Sequence, residues 1–417
     1  MSATVTEHRH VLERPEGPPA GLRDVRRDLG PHYASNGLIG YIFSASGPVA
    51  VVLAVGQAGG LSGAELASWI FGMFLSAGLA TITMSLLYRR PFGYAWSIPG
   101  TVLLGPSLQH LSWPEVVAAF YATGLLCLGL GLSGLMRRVM RAIPMPIVMA
   151  MVAAVFLRFG TDLVTSVQTN PAVAAPMVIG FIALSALPGL ARLMPPVLGA
   201  LVIGVVAVLI TGQFQWSGSS GPWLAAPVIT APDFTVQAML ELVVPLAITV
   251  LIVQNGQGIA VLRAAGHEPP VNVFAATSGL FSLLNAVFGA VSACVTGPTN
   301  AILTSSGEKD RQYTGALVYG ALALGTAVLA PTLTRLMLAT PTEFILALGG
   351  IAMLRALQGA FVAAFSGSYT LGSLVTFVVT ISGLTIFNIS AAFWGIVIGY
   401  LVSRVMEPRD YQHGVAS

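Results

Sequence analysis

Long apolar runs follow one another from Gly37 to Val402, with only short polar breaks between them. A helix needs about 20 mostly apolar residues to cross a hydrocarbon layer roughly 30 Å thick. Fourteen such segments are predicted, and two of them are broken by glycine and proline. They are approximately 35–56, 63–87, 93–109 (broken), 114–136, 143–159, 173–190, 195–213, 236–258, 271–288, 289–306 (broken), 312–334, 341–359, 367–384 and 386–404. The pattern therefore predicts an all-α polytopic membrane protein.

The composition supports this fold class and excludes a soluble globular domain. Of the 417 residues, 55% are hydrophobic and only 8% are charged, whereas ordinary soluble domains carry about 25% charged residues. So few charges cannot cover a surface that faces water. The 46 glycines are typical of helices whose backbones approach one another closely in lipid.

The distribution of arginine and lysine predicts the orientation, because short cytoplasmic loops retain these residues. If both termini are cytoplasmic, seventeen of the nineteen basic residues lie on the inner face, and only Arg158 and Arg335 lie outside. The loop at about 213–235 has no basic residue and is predicted to be extracytoplasmic. These features predict a multi-pass protein of a bacterial-type inner membrane.

The two halves of the chain resemble each other when the sequence is shifted by 197 residues. Scarce residues that coincide at this offset include Pro48 with Pro245, Gln57 with Gln254, Pro144 with Pro341 and Arg158 with Arg355. Seven spans per half is an odd number, so the second half must enter the membrane from the opposite side as an inverted repeat. We predict a cytoplasmic tail at 1–34, a seven-span repeat at 35–213, an extracytoplasmic linker at 214–235, a second repeat at 236–405 and a cytoplasmic tail at 406–417.

The two broken segments form the predicted binding site. In transporters with inverted repeats, the substrate lies between discontinuous helices, whose first N–H groups and positive dipole ends favour an anion. Each broken segment here is an extended stretch followed by a proline that suits a first helical turn. The alternative is that each proline only kinks a continuous helix. The candidate residues are Trp96, Ser97, Pro99, Gly100, Thr101, Gly297, Pro298, Thr299 and Asn300.

Polar residues within apolar spans give further candidates, because their burial is costly unless they have partners or a function. Gln254 and Asn255 lie in the eighth span and are expected to bind substrate, with hydrogen bonds between helices as the alternative. Tyr41, Gln57 and Asn285 are candidates for supporting the site, and for Gln57 and Asn285 a structural role is favoured.

Several function classes lack the residues that they need. No His, Asp or Glu lies in the middle of a predicted span, so no metal site is expected. The sequence has no phosphate-binding glycine loop and no histidine placed for Ser/His/Asp catalysis. The basic residues form no continuous stripe along the chain, so nucleic acid is not expected as a partner. We therefore expect no cofactor and no enzymatic activity.

Four stretches of the chain resemble the benzoate:proton symporter family of the BenE type. They are RAIPMPIVMA at 141–150, FLRFG at 156–160, Gln254-Asn255 with GIAVLRA at 258–264, and GPTN at 297–300. The similarity extends from about Gly37 to Arg404. The resemblance implies a fold related to the nucleobase and sulfate permeases, in which spans 1–4 and 8–11 form a core domain and spans 5–7 and 12–14 form a gate domain.

The resemblance also implies import of a small aromatic carboxylate, such as benzoate, by proton symport across a lipid bilayer. A nucleobase-type permease and an anion channel on the same architecture are the alternatives. Nucleobase permeases carry one glutamate where Gln254 stands and another near Thr304, so these two residues weaken the nucleobase interpretation. Assembly as a homodimer is left open.

The group that carries the proton is a separate question, because no titratable side chain lies in the middle of a predicted span. A carboxylate buried away from water binds a proton more readily than it does in water. We therefore expect the proton to travel on the substrate carboxylate. The alternatives are Glu241 and Glu343, two glutamates at the ends of spans.

Overall fold

The structure is a computed structural model that describes residues 11–45, 47–136, 144–187, 194–215, 222–305, 307–384, 386 and 391–413. Two strands, β1 (Tyr94–Trp96) and β2 (Ala293–Val295), accompany a series of helices. The helices are α1 (Leu22–Asp28), α2 (Pro31–Ala45), α3 (Gly47–Ala58), α4 (Gly63–Tyr88), α5 (Ile98–Ser107), α6 (Trp113–Ser133), α7 (Met145–Thr169), α8 (Pro171–Ala186), α9 (Pro196–Ile210), α10 (Val236–Ala264), α11 (Val271–Val287), α12 (Gly297–Leu303), α13 (Tyr313–Val328), α14 (Ala330–Leu338), α15 (Thr342–Phe365), α16 (Thr370–Ile381), α17 (Ala391–Met406) and α18 (Pro408–His413).

Many of these helices have the length and composition of membrane spans. Among the described residues, six helices are long and apolar enough to cross a membrane when α2 and α3 are counted together as Pro31–Ala58. Helices α13 and α14 make a seventh if these two bent parts are one span. Five more helices, α8, α9, α11, α16 and α17, are apolar but shorter. Each predicted segment contains a helix. The count of fourteen crossings, the inverted repeat and the orientation of the termini stay predictions.

Two predicted spans differ from straight α-helices. The segment 312–334 bends by 71° where α13 meets α14, and Pro331 in the first turn of α14 has no N–H with which to continue the preceding helix. Within α10, Met239–Val243 and Thr249–Gln254 are π-helical. Such stretches occur frequently at functional sites. The hydrophobic pattern predicted neither the bend nor the π-helical turns.

The helices pack in two groups that meet along one interface. In the first group α4 packs on α13 and α6 on α11, while in the second α7 packs on α15, α8 on α9 and α16 on α17. The groups meet where α3 contacts α15 and α5 contacts α7.

Helices α6 and α11 approach so closely that a Cβ on Gly131 would collide with the backbone of Ala276. The assignment of these groups as core and gate domains, and the repeat boundaries, stay predictions.

Part of the predicted N-terminal tail packs on one end of the first group. The backbone N–H of Ala20 donates to the carbonyl of Leu86 at 2.8 Å. The Arg89 guanidinium lies 2.6 Å from the Asp24 carboxylate. These contacts hold the segment before α2 against the end of α4.

Candidate functional site

The two broken segments lie side by side. Strands β1 and β2 pair in antiparallel fashion, with Ala95 opposite Cys294. Each strand then leads into a short helix that has a proline in its first turn, Pro99 in α5 and Pro298 in α12. Both breaks predicted from the sequence are therefore present, and neither proline merely kinks a continuous helix.

The start of α5 is held by its own polar side chains. The Ser97 hydroxyl accepts a hydrogen bond from the Gly100 N–H at 3.0 Å and donates to the Thr249 hydroxyl at 2.9 Å. The Thr101 hydroxyl donates to the Ser97 carbonyl at 3.0 Å. Ser97 is thus the N-cap residue of α5, and it fixes the position of the break.

Two asparagines brace the broken segments. The Asn300 amide donates to the Gly93 carbonyl at 2.9 Å, and its oxygen accepts from the Gly93 N–H at 3.0 Å, so it ties α12 to the chain before β1. The Asn255 oxygen accepts from the Val295 N–H at 2.8 Å, and its amide donates to Ser278 at 3.1 Å. The amide groups of both side chains are therefore occupied by hydrogen bonds to the backbone or to a neighbouring helix.

A cavity of about 610 Å³ lies beside the two half-helices and between the two groups of helices. Its volume is within the range of small-molecule sites, about 300–1,000 Å³. Five of the residues predicted for the site line it: Trp96, Pro99, Gln254, Pro298 and Thr299. The structure therefore brings together side chains from both half-helices and from α10.

The other predicted site residues do not line this cavity. They are Ser97, Gly100, Thr101, Asn255, Gly297 and Asn300. Of the three support candidates, Tyr41 donates to or accepts from the Thr326 hydroxyl at 2.6 Å, and the Asn285 amide donates to the Val291 carbonyl at 2.6 Å. The third, Gln57, lies near the end of α3 and is half-buried. These three do not line the cavity either.

The cavity combines apolar walls with polar atoms that have no partner within the described part of the chain. Met149, Phe156 and Met353 contribute apolar surface. The indole Nε1 of Trp96 and the hydroxyl of Thr296 are buried and form no hydrogen bond with described residues. Both atoms belong to residues that line the cavity. Because buried polar groups are nearly always hydrogen-bonded, these two groups are available to a bound molecule once their side chains turn toward it.

The charge at the cavity is positive. Arg355 is the only ionisable side chain among the described residues that line it. Its guanidinium is exposed and donates to the Gln358 amide oxygen at 3.2 Å. No cluster of His, Cys, Asp or Glu that could hold a metal is found among the described residues. The arrangement favours an anion with an apolar body.

Several residues that line the cavity were not predicted from the sequence as site residues, among them Ser44, Gln257, Thr296 and Arg355. Gln257 belongs to the same polar cluster as Gln254, and Arg355 is the partner of Arg158 at the 197-residue offset. Those signals were present in the sequence. Ser44 lies in α2, far from the broken segments in sequence, and only the packing of α2 on α12 places it here.

A sequence model described as "benzoate membrane transport protein" (BenE) matches residues 28–405. The chain belongs to this family. The resemblance to the BenE type is thereby confirmed, and membership places the chain among membrane transport proteins rather than enzymes.

Two relatives cover nearly the whole chain. The inner membrane protein YdcO of Escherichia coli is 32% identical over 381 residues, which is 89% of this chain and 95% of that protein. The benzoate membrane transport protein of Acinetobacter baylyi is 26% identical over 392 residues, which is 92% of this chain and 98% of the relative.

Solved structures also resemble this member of the benzoate transport family. SLC26A9 gives a TM-score of 0.62 at 14% identity, over 89% of this chain and 64% of the SLC26A9 chain. The transmembrane domain of the cyanobacterium bicarbonate transporter BicA gives a TM-score of 0.59 at 13% identity, over 93% of this chain and 98% of the BicA domain. The chain thus spans somewhat less than two thirds of SLC26A9. At these identities the likeness establishes the fold alone, a helical polytopic membrane fold.

Proposed function

We propose that this protein carries a small aromatic carboxylate, such as benzoate, together with a proton across the inner membrane. The observation that supports the proposal best is the cavity beside the two half-helices. Among the residues that the structure describes, it offers apolar walls, buried polar groups without a partner and one ionisable side chain, which is cationic. The name of the Acinetobacter baylyi relative points to the same substrate.

The cavity suggests how such a substrate binds. The aromatic ring packs between Met149, Phe156 and Met353, and the carboxylate faces the Trp96 indole N–H and the Thr299 hydroxyl. The positive end of α5 and the nearby guanidinium of Arg355 favour the negative charge. Thr101 is another candidate from the sequence, but its hydroxyl donates to the Ser97 carbonyl, so we assign it no contact with the substrate.

The place of the cavity suggests how transport proceeds. Its walls come from both groups of helices, with Gln254 from the first and residues of α7 and α15 from the second. Movement of one group against the other changes which end of the cavity is open. This is the alternating access expected of carriers with inverted repeats.

Thermal unfolding of the purified protein with a panel of ligands tests the substrate class. Benzoate is compared with cyclohexanecarboxylate, which keeps the charge but has no aromatic ring, and with benzamide, which keeps the ring but has no charge. Benzoate is expected to raise the melting temperature most, because a ligand that binds only the folded state at 100 times Kd stabilises it by about 2.7 kcal/mol. Stabilisation by uracil without stabilisation by benzoate would favour the nucleobase alternative.

A further inference from the structure

A second group of polar side chains lies at the far end of α5. Glu241, which hydropathy placed at the end of a span, is fully buried. One of its carboxylate oxygens accepts a hydrogen bond from the Ser107 hydroxyl at 2.5 Å, and the other lies 2.9 Å from His110 Nε2. A carboxylate buried in this way needs partners or a proton, because an unpaired buried charge is strongly unfavourable.

His110 connects this glutamate to a second cavity. Its side chain is 34% exposed, whereas that of Glu241 is 0% exposed. His110 lines a cavity of about 450 Å³, which also borders α3, α7 and α15. The first cavity is lined by residues between 145 and 156 of α7 and the second by residues between 154 and 162. The two cavities therefore follow one another along the interface between the helix groups.

The other charged groups near the pair are already engaged. Glu115 at the start of α6 accepts hydrogen bonds from the Ser112 N–H and hydroxyl, each at 2.8 Å, and from the Thr235 hydroxyl at 2.8 Å. Across the second cavity, Arg158 lies 3.9 Å from Asp162 on the same helix. Among the described residues that line this cavity, His110, Arg158 and Asp162 are the ionisable ones.

The glutamate is linked to the proposed substrate site through two helices. Helix α5 begins at the first cavity and ends at Ser107, and ten residues of α-helix span about 15 Å. Helix α10 carries both Glu241 and Gln254, with its π-helical turns around them. A change in the charge of Glu241 therefore acts on two of the helices that line the first cavity.

We propose that Glu241 takes up and releases the transported proton and that His110 passes it between Glu241 and water in the second cavity. A hydronium ion in the second cavity gives a proton to Nδ1 of His110 and becomes water, and the imidazolium then gives its Nε2 proton to the Glu241 carboxylate. The products are water, a neutral carboxylic acid and a neutral imidazole whose proton has moved from Nε2 to Nδ1. Release of the proton follows the same steps in reverse and restores the starting tautomer. This inference rests on the proposed function, and it places the proton on the protein rather than on the substrate.

The test uses the full chain in proteoliposomes, with Glu241→Gln and the matched control Glu343→Gln, a partly exposed glutamate in the first turn of α15. Two rates of labelled benzoate uptake are measured: uptake driven by a pH gradient at zero membrane potential, and counterflow at equal pH. Protein-free liposomes are measured in parallel, because neutral benzoic acid crosses lipid unaided. Glu241→Gln is expected to lose gradient-driven uptake above this background and to keep counterflow, whereas Glu343→Gln keeps both.

Gradient-driven uptake by Glu241→Gln at the wild-type rate overturns the inference and leaves the proton on the substrate. If Glu241→Gln does not fold, His110→Gln provides the test, since its amide can donate a hydrogen bond to Glu241 but cannot take up a proton and pass it on. His110→Gln is expected to slow gradient-driven uptake and to spare counterflow, and an unchanged coupled rate overturns the inference. Absence of benzoate counterflow in the wild type would instead overturn the proposed function itself, and this inference with it.

Discussion

Trp96 offers a direct test of ligand recognition at the scale of a single residue. Its ring is buried on the cavity wall, and its Nε1 has no partner among the described residues. Trp96→Phe keeps an aromatic ring but removes this donor. We expect it to weaken benzoate binding about tenfold, which is about 1.4 kcal/mol and typical of one lost hydrogen bond. Titration calorimetry on the purified protein measures the change.

The control for this change is Trp69→Phe. Trp69 is also fully buried, and its Nε1 has no partner in the described part of the chain. It stacks on Trp113 with ring centroids 5.4 Å apart and does not line the cavity. Trp69→Phe is expected to leave benzoate affinity unchanged. An equal loss of affinity in both variants would assign the effect of Trp96→Phe to packing.

Gln254 and Asn255 are neighbours in sequence that we expect to differ in role. Gln254 lines the cavity, whereas Asn255 accepts from the Val295 N–H. Gln254→Ala is expected to weaken benzoate binding with little change in melting temperature. Asn255→Ala is expected to lower the free energy of unfolding by about 1–3 kcal/mol, because a buried backbone N–H loses its acceptor. Thermal melting with and without benzoate distinguishes them, and loss of binding without loss of stability in Asn255→Ala would contradict this assignment.

His267 predicts a pH dependence of stability. It lies between α10 and α11, its Nε2 is 2.8 Å from the Gln312 amide oxygen, and burial lowers its pKa. As pH falls, the unfolded chain therefore binds a proton at this histidine more readily than the folded chain does. The contribution of neutral His267 to the free energy of unfolding is present above the ordinary pKa of about 6.5 and is lost as pH falls toward the lowered pKa.

We therefore expect the melting temperature of the wild type to fall between about pH 7 and 5 and His267→Gln to reduce this fall. The exposed His32, replaced as His32→Gln, is the control and should leave the pH profile unchanged. Identical profiles for the wild type and His267→Gln would show that this histidine does not contribute.

At the scale of the helices, close approach of α6 and α11 depends on glycine. Gly131 faces the backbone of Ala276, while Gly129 on the same helix has open space at its Cβ position. Alanine is about 1 kcal/mol more favourable than glycine within a helix, so Gly129→Ala should be neutral or stabilising. Gly131→Ala is expected to lower the melting temperature because its methyl group forces the helices apart. Equal melting of the two variants would contradict the close packing.

The breaks in the two half-helices could be predicted because proline and glycine act on the local backbone. The direction of each polar side chain could not. Neighbouring helical residues such as Gln254 and Asn255 point about 100° apart, and only contacts with other helices decide which one faces a cavity. The π-helical turn that ends at Gln254 changes this direction further. Glu241 was assigned to a span end because hydropathy does not show that α5 and His110 enclose it.

At the scale of the whole molecule, two cavities border the interface between the helix groups. One lies beside the half-helix starts and has Arg355 in its wall, and the other lies beside His110. Helix α5 extends from the first to the second. If substrate and proton bind as proposed above, their two sites are joined by one helix, through which binding at one site can change affinity at the other.

Counterflow in proteoliposomes decides most directly whether this protein carries an aromatic carboxylate. Labelled benzoate is supplied outside liposomes loaded with unlabelled benzoate at equal pH, and protein-free liposomes give the background. We predict that unlabelled benzoate inside accelerates uptake of label, that unlabelled uracil does not, and that Gln254→Ala reduces the acceleration. Uptake of label that is independent of internal benzoate would indicate a channel, and acceleration by uracil alone would indicate a nucleobase permease. Either result would contradict carriage of an aromatic carboxylate by this protein.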